Sequence, residues 1–319
     1  MTTWLLTGGA GYIGAHIARD LLASGRKVVV LDDLSTGHRD RVPVDATFVH
    51  ASVLDTSAVK DALTRNDVTG VIHLAAKKAV GESVEQPLLY YRENVGGMVS
   101  LLQAMSEAGT PCIVYSSSAA VYGDPPWSPI AEDTPCAPLS PYGQTKLIGE
   151  WMVKDEAAAR PLSWVVLRYF NVAGAGSPEL GDTSVNNLIP MVFGALDRGE
   201  APRVFGTDYP TADGSCVRDY IHVSDLSEAH VAAAALCEQG DAAAIFNVGT
   251  GLGASVWEVM GSISEVIGRD VGAVAVERRA GDPPELVASV DRISAELGWS
   301  ASRSLRDMIA SAYAARLPS

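Results

Sequence analysis

Basic residues are scarce in this chain: 24 Lys and Arg stand against 38 Asp and Glu, a formal net charge of −14 over 319 residues. That deficit argues against nucleic-acid binding, which needs a surplus of cations facing the phosphates. It leaves room for a small anionic ligand, because a few well-placed basic groups act locally. Cysteine is scarce too. Cys112, Cys136, Cys216 and Cys237 are far apart and form no CxxC pair, so neither a zinc site, nor any other metal centre, nor a disulfide framework is expected. No run of about 18 apolar residues occurs, so no membrane span is expected. The first residues lack a basic segment and a cleavable apolar core, which makes cytoplasmic residence the expectation. Internal repeats and low-complexity tracts are missing as well. What is present, 47% hydrophobic and 19% charged residues, is the composition of a globular enzyme. The length suffices for two domains, or for one domain with a substantial added lobe.

Short apolar runs at 4–7, 27–31, 47–49, 71–74, 112–116 and 164–167 read as strands. Between them, 13–23, 56–64, 88–108 and 142–159 carry apolar residues at helical spacing. Strands alternating with helices imply crossover connections, hence a doubly wound parallel sheet, a Rossmann domain, with helices on both faces. The strands are apolar almost throughout, as strands buried on both sides must be. After about residue 175 the rhythm breaks into turn-rich stretches at 174–182 and 205–214. Residues 176–319 then read as a smaller mixed α/β substrate-binding lobe, with helices near 223–237 and 256–267. Segments near 222–250 are candidates to return to the first domain.

The motif TGGAGYIG spans residues 7–14, between the first strand and the first helix. Gly8, Gly11 and Gly14 permit a tight turn, close approach of a pyrophosphate, and close helix–strand packing; the helix N-terminus offers N–H groups to phosphate. Asp32 ends the second strand, where a carboxylate can accept from both ribose hydroxyls and would repel a 2′-phosphate. Asp33 adds a second negative charge, and the turn has no Arg suited to a phosphate. NAD is therefore the expected cofactor, in preference to NADP.

Tyr142 and Lys146 lie four apart at the start of a helix and share one face. A free tyrosine, with a pKa of about 10, is a poor base at neutral pH. An adjacent ammonium and a positively charged nicotinamide would both favour its phenolate. Ser118 follows the fifth strand at its carboxyl end, where ligands bind in such sheets, and can donate to or accept from a reacting oxygen. Ser118, Tyr142 and Lys146 are the candidate catalytic residues.

With these motifs in hand, the chain resembles the extended short-chain dehydrogenases/reductases and, among them, the UDP-hexose 4-epimerases. The similarity runs through TGGAGYIGAH, HLAAKKAVGES, YSSSAAVYG, SPYGQTK, RYFNVAGA, FGTDYPTADGSCVRDYIHVSDL, FNVGTG and RRAGDPPELVAS. The stretch 205–226 is the most specific, because superfamily members in general do not share it. The resemblance implies NAD contacts from Tyr12, Ile13, Asp32, Asp33, Lys78, Asn94, Lys146 and Phe170. The loops around them extend that set to Leu34, Ser35, Thr36, Gly37, Ser52, Val53, Leu74, Ala75 and Ala76. Ser118 and Tyr142 would touch both cofactor and sugar, and Lys78 also belongs to both sets. Asn171, Asn187, Leu188, Arg203, Val204, Phe205, Arg218, Arg279 and Asp282 would line a UDP-sugar site. Arg218 and Arg279 can form charge-assisted bonds to a diphosphate, and Phe205 can flank a uracil.

The implied reaction is interconversion of UDP-galactose and UDP-glucose by transient oxidation at C4, in a homodimer built on the helices 88–108 and 142–159. Two positions depart from the family pattern. Ala51-Ser52-Val53 stands where an Asp usually holds the adenine, which weakens that anchor. Leu286 is intermediate between the large aromatic of enzymes confined to plain hexoses and the small residue of those accepting N-acetylhexosamines; it leans towards plain hexoses. Epimerases of UDP-N-acetylhexosamine, UDP-glucuronate or UDP-pentose are alternatives, and a nucleotide-sugar 4,6-dehydratase is the closest rival. A 4,6-dehydratase would carry an Asp-Glu pair where this chain has Ala119-Ala120. A net dehydrogenase fits the motifs but not the stretch 205–226, and a non-catalytic NAD-binding regulator would be expected to lose Tyr142 or Lys146.

Overall fold

The computed structural model describes residues 1–184, 186–279 and 282–316. The chain opens with β1 (Thr3–Thr7), α1 (Tyr12–Ala23), β2 (Lys27–Asp32), β3 (Thr47–His50), α2 (Thr56–Arg65) and β4 (Gly70–His73). Next come α3 (Val80–Glu85), α4 (Pro87–Tyr90), a π-helical stretch Tyr91–Gly96, α5 (Gly97–Ala108), β5 (Cys112–Ser118), α6 (Pro141–Ala159) and β6 (Ser163–Tyr169). Beyond these lie β7 (Asn171–Ala173), α7 (Leu188–Asp197), β8 (Arg203–Phe205), β9 (Val217–His222), α8 (Val223–Cys237) and β10 (Ala243–Val248). The chain closes with β11 (Gly253–Ser255), α9 (Val256–Ile267), β12 (Val274–Val276), β13 (Glu285–Leu286), α10 (Asp291–Leu297) and α11 (Leu305–Ala314).

Seven strands form one sheet in the order β10-β6-β5-β4-β1-β2-β3. β1 runs parallel to both β2 and β4, β2 to β3, and β4 to β5. The order reverses direction at β1, so the loops after β1 and β4 diverge at their carboxyl ends, the place where such sheets take ligands. This is the doubly wound Rossmann architecture expected from the alternation of strands and helices. β1 and β4 are buried along their whole length, which is why they read as almost wholly apolar runs.

The chain divides into two compact units, each visited more than once. The first comprises Met1–Gly123, Cys136–Arg168 and Ser227–Phe246; the second comprises Asp124–Pro135, Tyr169–Leu226 and Asn247–Ser319. The division is thus interleaved, with Ser227–Phe246 counted in the first unit. In the first unit, Leu5, Val29, Leu31, Val71 and Ile113 from the sheet pack on Val59, Leu63, Met98, Leu101 and Met105 from α2 and α5. In the second, Ile189, Val192 and Phe193 of α7 meet Val204, Tyr220, Val259, Met260, Ile263, Met308 and Ile309. Its strands form a mixed arrangement: β9 is antiparallel to β11 and parallel to β13 and β7, while β8 pairs parallel with β12.

One predicted helix runs without a break but is not α-helical throughout. The span 88–108 is α4, a π-helical stretch and α5 in succession. A π turn widens the register, and it leaves Asn94 buried at its centre. By contrast α6 starts where its local signals place it. Ser140 accepts from the Gly143 N–H, and Pro141 occupies the first turn, where its missing N–H costs nothing.

Candidate active site

The glycine loop is built by steric necessity. Gly8 has φ +74°, and a Cβ there would sit 2.8 Å from the Ala75 nitrogen. A Cβ on Gly14 would sit 2.4 Å from the Gly8 carbonyl oxygen and 2.7 Å from the Gly9 Cα, both rigid backbone. Gly11 caps α1 without any side-chain capping bond. The first N–H groups of α1 therefore receive no side-chain acceptor from the cap, and with the helix dipole they suit an anionic phosphate.

Asp32, buried at the end of β2, accepts from the Ala10 N–H at 2.9 Å and the Leu34 N–H at 2.9 Å. Burial pushes its carboxyl above the usual carboxylate range, while those two backbone bonds pull the other way. Leu34 takes a left-handed φ of 59° to make this turn, and Gly37 packs against the Asp32 carboxylate. Asp33, Ser35 and Thr36 are exposed beside it. Among the remaining predicted cofactor residues, Tyr12 is buried with its ring edge-on to His16, and Val53 belongs to the core beside α5. Ser52 accepts from the Leu54 N–H at 3.3 Å. Leu74 and Ala75 follow β4 and are half-buried, whereas Ala76 and Lys78 are exposed.

Asn94 is fully engaged by the protein. Its Oδ1 accepts from the Lys77 N–H at 2.8 Å, and its Nδ2 donates to the Lys77 carbonyl at 3.0 Å and to Thr145 Oγ1 at 2.9 Å. It clamps the loop after β4 to α6, immediately beside Lys146.

Tyr142, Lys146 and Glu150 recur at intervals of four and line one face of α6. Lys146 Nζ is buried, donates to the Ser116 carbonyl oxygen at 2.8 Å and lies 5.2 Å from the centre of the Tyr115 ring. Burial pulls its pKa down to about 8, against the opposing pull of Glu150. The Tyr142 phenol is buried as well. Burial raises its pKa, and a hydrogen bond from Ser118 pulls it down. Ser118 Oγ accepts from the Ala120 N–H at 3.2 Å, which leaves its own proton free for the phenol. Lys146 directs its ammonium to a strand carbonyl, and burial is the larger of the two influences on the phenol. His73, stacked on Tyr115 and 2.7 Å from Thr7 Oγ1, is held neutral by burial and by Lys146, its pKa lowered to about 3.

Apart from Lys78, Ser118 and Tyr142, which belong to the first unit, the predicted nucleotide-sugar residues fall in the second. Arg218 on β9 pairs with Asp282 and also donates to its neighbour's carbonyl, that of Val217, at 2.8 Å. The Arg279 guanidinium lies 3.8 Å from the centre of the Phe205 ring. Asn187 Nδ2 donates to Asp182 at 2.6 Å, and Asn171 donates to the Tyr220 hydroxyl, one strand away. Leu188 begins α7, Arg203 is exposed at the start of β8, and Phe170 is buried just before β7. Val204 is buried in the core of that unit, so only its backbone is available to a ligand. Leu286 is half-buried on β13, in register with Arg218. Ala280 and Gly281, within the RRAGDPPELVAS stretch, lie outside the described residues.

A model of the NAD dependent epimerase/dehydratase family matches residues 4–249. The chain belongs to that family. A UDP-glucose 4-epimerase of Azospirillum brasilense is 45% identical over 299 residues, covering 92% of this chain and 86% of that protein. A UDP-glucose 4-epimerase of Bacillus subtilis (strain 168) is 44% identical over 322 residues, covering 97% and 95%. The crystal structure of UDP-glucose 4-epimerase from Brucella ovis in complex with NAD superposes with a TM-score of 0.94 at 42% identity, covering 98% and 97%.

In this member of the epimerase/dehydratase family, sequence reasoning passed over the buried charges beneath the site. Glu150 and Arg168 form a buried ion pair at 2.6 Å, with side-chain exposures of 0% and 4%. A signal was present: an arginine inside a strand whose neighbours are apolar demands a partner. Among the described residues no cluster of groups suited to a metal ion occurs, and no helix is long and apolar enough to cross a membrane.

Proposed function

We propose that this chain interconverts UDP-galactose and UDP-glucose by inverting the C4 hydroxyl of the hexose, with NAD as tightly held cofactor. The observation that carries the reading is the cluster of buried Tyr142 and Lys146 with half-buried Ser118, on the same unit as a glycine loop that a single added Cβ would obstruct. The relatives named above, at 44–45% identity over nearly the whole chain, support it.

The first N–H groups of α1, with Gly8, Gly11 and Gly14, would hold the cofactor pyrophosphate, Asp32 the adenosine ribose, and Lys146 the nicotinamide ribose. Bound NAD supplies hydride acceptance and return at C4, together with a positive ring charge that favours the phenolate of Tyr142. Tyr142 takes the proton from the sugar O4 and later gives it back on the other face. Ser118, with its proton directed at the phenol, orients O4. Arg218 and Arg279 offer cations to the diphosphate, and Phe205 an aromatic face to the uracil.

Incubating the purified protein with UDP-galactose and no added reductant tests this. UDP-glucose accumulating without stoichiometric NADH is the expected result. A 4-keto-6-deoxy sugar or stoichiometric NADH would replace the reading by a dehydratase or a dehydrogenase. UDP-N-acetylglucosamine in parallel tests the lean of Leu286 towards plain hexoses.

A second copy of this chain is the partner we propose. Leu88 is 81% and Trp151 53% exposed, on α4 and α6, elements that pack on each other, and Val84 and Val99 are exposed on α3 and α5. Apolar side chains gathered in this way suit a homodimer interface. All four cysteines are free, which fits the reducing cytoplasm.

A further inference from the structure

We propose that Glu150 is a positioning residue for this reaction, acting through the strand end that carries Ser116, Ser117 and Ser118 and through its charge beside Lys146. The proposal rests on the epimerase reading above. Glu150 Oε1 accepts from Ser117 Oγ at 2.6 Å and from Arg168 Nε at 2.9 Å, and its Oε2 accepts from Arg168 Nη2 at 2.6 Å. Arg168 in turn donates from Nη1 to the Tyr122 hydroxyl at 2.9 Å, with its guanidinium 4.9 Å from the centre of that ring. One fully buried carboxylate thus ties α6 to β5 and β6.

Ser117 is the hinge of the idea. On one side of it, Ser116 presents the carbonyl that receives Lys146; on the other, Ser118 reaches Tyr142. A shift at Ser117 therefore moves both contacts of the catalytic pair. Packing alone does not call for such an arrangement, because apolar side chains of similar volume often stabilise a core as well as a buried ion pair does.

The charge of Glu150 makes the second contribution. The groups facing Lys146 are Tyr142 and Glu150 on α6, Tyr115 on β5 and His73 on β4. His73 is neutral. Glu150 is the group that opposes the loss of the ammonium by burial, and no other charged group among the described residues shifts it. Without that carboxylate, Lys146 would lose its proton at a lower pH.

The test uses the NAD-loaded protein and three variants: Ser117→Ala, Glu150→Gln, and Glu150→Met combined with Arg168→Met. The combined variant leaves no unpaired buried charge and keeps the test alive if Glu150→Gln does not fold. Thermal melting establishes folding. The chain has six lysines, so ε-13C-lysine labelling and NMR follow the titration of Lys146 directly. Ser117→Ala is expected to lower kcat about tenfold with KM for UDP-galactose within about twofold, as a small misplacement does. The combined variant is expected to lower kcat by at least about tenfold, and to bring the Lys146 midpoint and the alkaline limb of kcat down by roughly one pH unit. A folded combined variant with kcat within about twofold of wild type, or with the Lys146 midpoint unmoved, overturns the proposal. Failure of the wild-type protein to interconvert the two sugars would instead remove the epimerase reading, while the Lys146 titration would still decide the charge coupling.

Discussion

Lys146 follows Tyr142 by one helical turn, yet its ammonium donates to the Ser116 carbonyl oxygen at 2.8 Å, while the Tyr142 phenol takes its hydrogen bond from Ser118. The two groups are thus set by adjacent ends of one strand segment instead of by each other. Burial acts on both in the direction that opposes charge, raising the phenol and lowering the amine. If Tyr142 is the proton carrier, Tyr142→Phe removes the transfer and leaves the packing. Turnover of UDP-galactose is expected to fall by at least about a hundredfold with an unchanged melting temperature. Near-normal turnover would end the assignment.

Lys146 carries a signed prediction for stability. Its folded pKa, about 8, lies below the unfolded value of 10.5, so the folded state binds the proton less tightly. The resulting penalty is complete below about pH 8 and is relieved as the pH rises from there towards about 10.5. Lys146→Met has no such penalty. Relative to that variant, the wild type is therefore expected to gain stability between about pH 8 and 10.5, as read by urea unfolding across the range. A difference that is flat with pH would contradict the burial of a charged amine. The same variant should have lost its epimerase activity.

Two glycines make a paired test of the loop geometry. At Gly14 an added methyl meets the Gly8 oxygen and the Gly9 Cα, neither of which can swing away. Gly14→Ala is expected to cost about 1–3 kcal/mol and to release NAD on gel filtration. Gly81, near the start of α3, has nothing within 4 Å of the equivalent methyl. Gly81→Ala should be neutral or stabilising by up to about 1 kcal/mol, with NAD retained.

The proposed dimer face is checked by charge. Leu88→Glu places a carboxylate where 81% of the leucine surface is free in the single chain. Light scattering should show half the wild-type mass, with the glycine loop and NAD content intact. A wild-type chain that is already monomeric at micromolar concentration would dispose of the interface.

The sheet was legible because its strands are apolar almost throughout, and the long helices because their apolar residues recur at helical spacing. Gly8 and Gly14 were legible for a similar reason: the spacing reports a backbone approach that no other residue tolerates. Three features were not. The π turn around Asn94 leaves the apolar spacing of 88–108 looking like one helix, since a single wide turn displaces the pattern by only one residue. Glu150 reads locally as the exposed partner of Lys146, because a Glu four residues from a Lys usually sits on a solvated face; that it is buried is set by Arg168 arriving from β6. The proton affinity of Tyr142 depends on how much water reaches it, which spacing cannot express.

The sheet order has a consequence for how the protein is made. β10, residues 243–248, completes the sheet beside β6, which ends at residue 169. A nascent chain therefore carries β6 with an open hydrogen-bonding edge through all the residues that intervene. Such edges recruit one another. Ribosomes that stall in that interval, and proteases that cut there, should yield insoluble fragments and never a free-standing cofactor-binding half.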